Sequence, residues 1–138
     1  MRDYHVATQL AAADRDIVYR FLRDDAYWSR GLPRDVFERA ADNSLSFVAY
    51  DGRDVAGYAR VVTDKATFAW LCDVFVLPPH RRNGVARLLM GSVMAHPDLQ
   101  GVRNLLLATR DAHGLYAKYG FTALAEPARW MAIRKPYR

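Results

Sequence analysis

A mixed α/β fold of the α+β kind, one domain over residues 1–138, is what this sequence predicts, and three observations predict it. Three strand-like runs follow one another at residues 45–50, 54–63 and 67–76. Asp51-Gly52, a tight-turn signal, joins the first two, so the trio reads as an antiparallel meander. Next, a helical stretch leads to Leu105-Leu106-Leu107, a continuous apolar run of the kind a buried parallel strand carries. Strand, helix and strand in that order predict a crossover beside the meander. Finally, 138 residues suit a single domain, and 51% hydrophobic with 25% charged residues excludes a disordered chain.

The elements are justified in turn. Residues 5–8 read as a short first strand. From Asp14 onward, Ile17, Val18, Phe21 and Leu22 recur at helical spacing and predict one apolar face. Residues 28–31 form a break, and Pro33 suits the first turn of a second helix over residues 34–41. Pro78-Pro79 interrupts the chain after the meander, since neither residue fits a strand or helix interior. A helix over residues 84–95 follows, with Val85, Leu88, Leu89 and Val93 on its expected buried face and Pro97 at its end. A strand is expected over residues 102–108, and a short helix capped by Asp111 runs through Lys118 to Gly120. Residues 121–124 and 129–133 read as two closing strands.

Composition narrows the function. One cysteine, Cys72, excludes an intramolecular disulfide framework and argues against a zinc cage, so no metal site is expected. No apolar run approaches the roughly eighteen residues of a membrane span. The opening Met1-Arg2-Asp3-Tyr4-His5 lacks a signal-peptide core, which predicts a cytoplasmic protein without membrane partners; a monomer or homodimer is expected, and the sequence does not choose between them. The net charge of +5 favours anionic partners. The arginines are nonetheless dispersed among acids, apart from one cluster, His80-Arg81-Arg82 with Arg87 close behind. A compact cluster suits a small polyanion better than a duplex. His80 itself is expected to be solvated.

That cluster lies where a strand ends and a helix begins at a glycine. A helix start leaves backbone N–H groups unpaired and adds positive potential, and a glycine lets a phosphate approach. The segment from Val74, Phe75, Val76 and Leu77 to Arg81, Arg82, Asn83, Gly84, Val85, Ala86 and Arg87 therefore reads as a pyrophosphate cradle; the alternative is a plain loop with solvated arginines. No Gly-Lys-Ser/Thr follows it, which excludes a P-loop, and the three-glycine dinucleotide pattern is missing.

Arg81-x-x-Gly84-x-Ala86 resembles the Gln/Arg-x-x-Gly-x-Gly/Ala signature of the GNAT superfamily of N-acetyltransferases. Downstream, Leu115-Tyr116-Ala117-Lys118-Tyr119-Gly120-Phe121 is similar to the family's aromatic-Tyr-x-x-x-Gly-Phe motif. The resemblance covers residues 54–121. It implies a centrally splayed sheet flanked by helices, with acetyl-CoA as the acyl donor. Backbone N–H groups from Arg81 to Arg87 would hold the pyrophosphate, and Val74 to Leu77 would pair with the pantetheine arm. Thr109 stands where many members have Asn, and Ala86 where Gly is commoner.

The resemblance also gives Tyr116 the part of general acid toward the departing thiolate, for which a phenol is chemically suited; the alternative is a packing tyrosine. Tyr119, three residues on, is expected as packing or as a wall of the CoA groove. Asp73 interrupts the apolar run Trp70-Leu71-Cys72-Asp73-Val74-Phe75-Val76, where a carboxylate is costly unless paired or used. It is a candidate base or ammonium binder, or else a structural ion pair with Arg110 or Arg60. His113 is a second candidate base. A Cys72 nucleophile is the weakest alternative, because direct transfer in a ternary complex is the family's usual route. Tyr27 and Trp28, with Val36 and Phe37 of the second helix, could wall the acceptor pocket. The acceptor, a small-molecule or peptide amine, is not readable. Two other classes compete: a non-catalytic acyl-CoA sensor, and a nucleic-acid binder, against which the apolar placement of most aromatics speaks.

Overall fold

The computed structural model describes residues 2–137. One sheet holds five strands in the order β1 (Tyr4–Ala7), β2 (Leu45–Asp51), β3 (Asp54–Thr63), β4 (Phe68–Val76) and β5 (Asn104–Leu106). The first four pair antiparallel, and β5 pairs parallel with β4. Four helices cover it: α1 (Arg15–Asp24), α2 (Arg34–Asp42), α3 (Val85–Ala95) and α4 (His113–Ala117). The mixed, helix-flanked sheet predicted from the sequence is the one observed.

Strand alternation divides the apolar residues between two faces. On one face, Val48, Val55, Tyr58 and Phe75 meet Val18, Phe21, Leu22 and Phe37 of α1 and α2. On the other, Phe47, Ala49, Ala59 and Val61 meet Val85, Leu89, Met90 and Val93 of α3. Gly57 sets that second distance: a Cβ there would lie 2.8 Å from the Phe75 carbonyl oxygen and 3.2 Å from Val85. Small residues on β3 therefore let α3 sit close, with its N-terminus at the end of β4.

Several expectations need correction. Ile17 and Leu88 are exposed; on α3, Leu88 and Met90 flank the face centred between Val85 and Val93 at equal angles, and Met90 is the one that packs into the core. Asp111 does not cap α4. The Thr109 hydroxyl oxygen accepts the Ala112 N–H at 3.1 Å, and the helix starts one residue later than expected, with Ala112 in the cap position. Residues 121–124 and 129–133 form no strand. Pro127 opens a short 3-10 turn instead, and every residue from Thr122 to Tyr137 is exposed, so this segment has no buried face to order a ladder. The strand expected over residues 102–108 shortens to Asn104–Leu106, for a reason that lies in β4.

Candidate active site

β4 carries one residue too many for its neighbour. Arg60 pairs with Cys72 and Tyr58 with Phe75, so Asp73 and Val74 together oppose Ala59. This is a β-bulge, and Asp73 adopts the left-handed region at φ 54°, which a non-glycine residue rarely occupies. The bulge bends β4 away from β5. Their ladder ends at Trp70 and Leu106, leaving Leu107 and Ala108 without a strand partner. The sheet is splayed, and a cleft of about 380 Å³ opens between Leu71–Val74 on one side and Leu107–Thr109 on the other. Tyr27, Trp28, Tyr116 and Arg134 also line it.

Asp73 stands at the floor of this cleft, with both carboxylate oxygens engaged. Oδ2 accepts from Arg60 Nε at 2.8 Å, and Oδ1 accepts from the Trp28 indole Nε1 at 2.9 Å. Arg60 Nη1 donates onward to Ser44 Oγ at 3.0 Å, and Ser44 donates to the Ala40 carbonyl oxygen at 2.6 Å. The network ties β4 to β3, to the end of α2 and to the turn after α1. Of the two partners expected for Asp73, Arg60 is the one found; Arg110 lies over the Tyr27 ring at 3.8 Å instead. Burial works against the charge of Arg60, yet Asp73 holds its pKa above the usual value.

Tyr116 projects from α4 into the cleft and is 8% exposed. Burial foremost, then the neighbouring Tyr27, raises its phenol above the ordinary value, so it stays protonated at neutral pH. Among the described residues no side chain hydrogen-bonds its hydroxyl, which leaves that proton available. Burial pushes the Cys72 thiol up to about 12, so it holds its proton and is a poor nucleophile. His113 is exposed and does not line the cleft. Tyr119 does not line it either; it borders a groove beside β5 with Leu105 and Leu106.

Beyond β4 the chain turns through Pro78–His80 into the basic loop. Arg81 Nε donates to the Val76 carbonyl oxygen at 2.9 Å. Asn83 Nδ2 donates to the carbonyls of His80 and Arg81 at 3.2 and 2.9 Å. Arg82 and Gly84 both have positive φ, 65° and 79°. These bonds and turns aim the start of α3 outward. The first helical bond runs from the Leu88 N–H to the Gly84 carbonyl at 3.1 Å. The N–H groups of Val85, Ala86 and Arg87 thus have no partner among the described residues, and no acid stands in the first turn. Such a terminus fits a pyrophosphate. His80 is buried, contrary to expectation: its Nδ1 accepts from Tyr4 at 3.1 Å and Arg2 at 3.3 Å, which anchors the loop to β1.

On the far side of Asp73 a second cavity, of about 140 Å³, lies between α2 and the sheet. Trp28, Arg60 and Asp73 border both spaces. Val36 and Phe37, the second-helix residues singled out from the sequence, wall it together with Tyr58 and Tyr137. Tyr137 and Arg134 come from a segment without periodicity, so no sequence signal marked them. The interrupted apolar run did mark Asp73.

Among the described residues no helix is long and apolar enough to cross a membrane, and no cluster of His, Cys, Asp and Glu suits a metal. Residues 42–123 match the family model described as the acetyltransferase (GNAT) domain. A curated Gibberella zeae protein, whose description goes no further than acetyltransferase, is 30% identical over 84% of this chain and 77% of its own length. A crystal structure of a GNAT-family protein from Xanthomonas campestris is 46% identical with a TM-score of 0.94, covering 99% of this chain and 96% of that one. The N-acetylglutamate synthase of Neisseria gonorrhoeae, solved with coenzyme A and L-arginine, shares the fold: its TM-score is 0.72 at 14% identity, over 91% of this chain and 29% of that one. The fold, the splayed strands and these matches place the chain in one family: it is a member of the GNAT acetyltransferases.

Proposed function

We propose that this protein moves an acetyl group from acetyl-CoA directly to a primary amine within a ternary complex. The observation that carries the reading is the cleft at the bulge, which brings the Tyr116 phenol and the Asp73 carboxylate to one space between separated strands. The family's use of acyl-CoA donors, and the coenzyme A bound by the N-acetylglutamate synthase, support the donor.

In this proposal the residues take the following roles, which the geometry supports. The free N–H groups of Val85, Ala86 and Arg87 take the pyrophosphate, with Arg82 and the flexible end of Arg87 adding charge. The unpaired edge of Val74 to Leu77, including Phe75 and Val76, takes the pantetheine arm, and the Thr109 hydroxyl keeps a proton to donate toward it. Asp73 has one further lone pair on each oxygen, which receives the acceptor N–H and draws off its proton. Tyr116 gives its proton to the departing sulfur. The inert Cys72 supports direct transfer over an acetyl-enzyme.

Thiol release from acetyl-CoA over a panel of amines tests this, with Tyr116→Phe as the probe. The substitution should lower kcat about hundredfold, the low end for a general acid, and leave the acetyl-CoA Kd unchanged by calorimetry. Equal rates for both proteins, measured where chemistry limits, would end the acid assignment. Acetyl-CoA binding without turnover for any amine would favour the sensor reading.

A further inference from the structure

The cavity behind Asp73 carries an inference about the acceptor, one that rests on the transfer reading. We propose that the acceptor is a small primary amine bearing a single apolar group, no larger than a phenyl ring or a branched five-carbon chain, and that α2 and Tyr137 select it.

Size comes first. The cavity holds about 140 Å³. An engineered cavity of about 150 Å³ takes up benzene, so this space suits a group of that bulk. Chemistry comes second. Leu32, Val36 and Phe37 give it apolar walls. Of its polar side chains, Ser29, Tyr58 and Arg60 are already served within the protein, and the Tyr137 hydroxyl stands at the border. Ser29 donates to the Leu22 carbonyl at 2.7 Å, Tyr58 bonds Ser46 at 2.9 Å, and Arg60 is held by Asp73 and Ser44. Besides the Tyr137 hydroxyl, the spare lone pairs of Asp73 are what remains for a ligand nitrogen, and Asp73 borders both the cavity and the cleft.

A nitrogen at Asp73 thus faces the thioester space, and the rest of the molecule points among apolar side chains. The charged and titratable groups bordering the cavity are Asp73, Arg60, Tyr58 and Tyr137. Asp73 is the one carboxylate among them, and it is paired with Arg60. The second ammonium of a diamine would sit against Val36 or Phe37 without a partner, a costly burial. The backbone amides of a polypeptide acceptor would find no partner against the same apolar walls.

The test compares benzylamine and 3-methylbutylamine with methylamine, butane-1,4-diamine and a lysine peptide, by thiol release with saturating acetyl-CoA. The first two should exceed the others at least tenfold in kcat/KM. Ala40→Phe, which puts a ring into the cavity, should raise the benzylamine KM at least tenfold while the methylamine rate and the acetyl-CoA Kd hold. Should that variant fold poorly, Tyr137→Ala, on an exposed residue, should raise the benzylamine KM several-fold and improve a naphthyl analogue. Preference for the diamine or the peptide overturns the proposal, as does an unchanged benzylamine KM in a folded Ala40→Phe protein. If no amine is acetylated, the transfer reading fails separately. Calorimetry of benzylamine with the CoA-loaded protein then decides the cavity's ligand: binding that Ala40→Phe abolishes upholds it, and no binding overturns it.

Discussion

At the α3 end of the sheet, what the molecule offers a ligand is mostly backbone: three N–H groups at a helix start, two residues with positive φ, and the free edge of β4. On the α1–α2 side it is side chains, from Trp28, Arg60, Asp73 and Tyr137. The two regions share one strand and read ligands by different physics. Backbone donors recognise any pyrophosphate alike, because each residue type carries the same N–H. Side chains gathered from four distant positions recognise one shape and one charge, and they can change without disturbing the donor end.

The comparison can be broken most severely at the residue both sides touch. In Asp73→Asn the carboxamide NH2 or its oxygen must face Arg60 without the charge that holds it, and a largely buried guanidinium loses its counter-ion. Breaking such a pair costs several kcal/mol, and the residual exposure here puts the expected loss near the low end, about 3 kcal/mol. Urea unfolding measures it. The double variant Arg60→Met with Asp73→Leu, which removes both charges, should regain most of that stability yet stay inactive. If the double variant is as unstable as the single one, the pair's charge is not what holds the two sides together.

A smaller effect isolates the backbone side. Gly84→Asp brings a carboxylate to the pyrophosphate position and asks a residue with a Cβ to keep φ near 79°. Acetyl-CoA should bind at least tenfold more weakly, about 1.4 kcal/mol. The amine KM, measured at saturating donor, should hold. A folded variant with unchanged donor affinity would remove the cradle assignment.

The smallest effect is at Cys72, between the two regions. Cys72→Ala should change kcat less than twofold. The thiol's pKa is raised from about 9 to about 12 on folding by burial, so the neutral form is the one the fold favours. That contribution is complete below about pH 9 and is lost as pH climbs toward 12. Iodoacetamide at about pH 9 should accordingly label native protein far more slowly than urea-unfolded protein. Equal labelling rates would place Cys72 in an open, ionised setting and revive the nucleophile.

The backbone half of the site was legible because it is contiguous: Arg81, Gly84 and Ala86 announce a loop and a helix start whatever surrounds them. Tyr116 was legible by its motif, and Asp73 by its cost within an apolar strand. The side-chain half was less so. Arg60 was legible only as one of two possible partners of Asp73, because the strand pairing that brings it there instead of Arg110 is set by the bulge. Tyr137 sits in a segment without periodicity. His113 and Tyr119 are close to Tyr116 in sequence, but His113 is exposed at the first turn of α4 and Tyr119 follows the helix, bordering the groove beside β5. His80 reads as a loop residue because its partners, Tyr4 and Arg2, are more than seventy positions away. The closing strands were over-read: residues 129–133 have strand-like composition, and composition alone supplies no partner edge.

The bulge in β4 gives the site an unusual kind of heritability. What opens the cleft is an additional residue, so changes of side chain alter what the cleft does, while changes of chain length decide whether it exists. Deleting position 73 would bring Tyr58–Phe75 and Arg60–Cys72 into one continuous register. Phe75 would keep its face and its core, and β4 would run straight enough to go on pairing beyond Leu106. A single lost codon would then close the cleft, and because it also strips Arg60 of its counter-ion, the straightened sheet would be less stable as well as without the space proposed for the thioester.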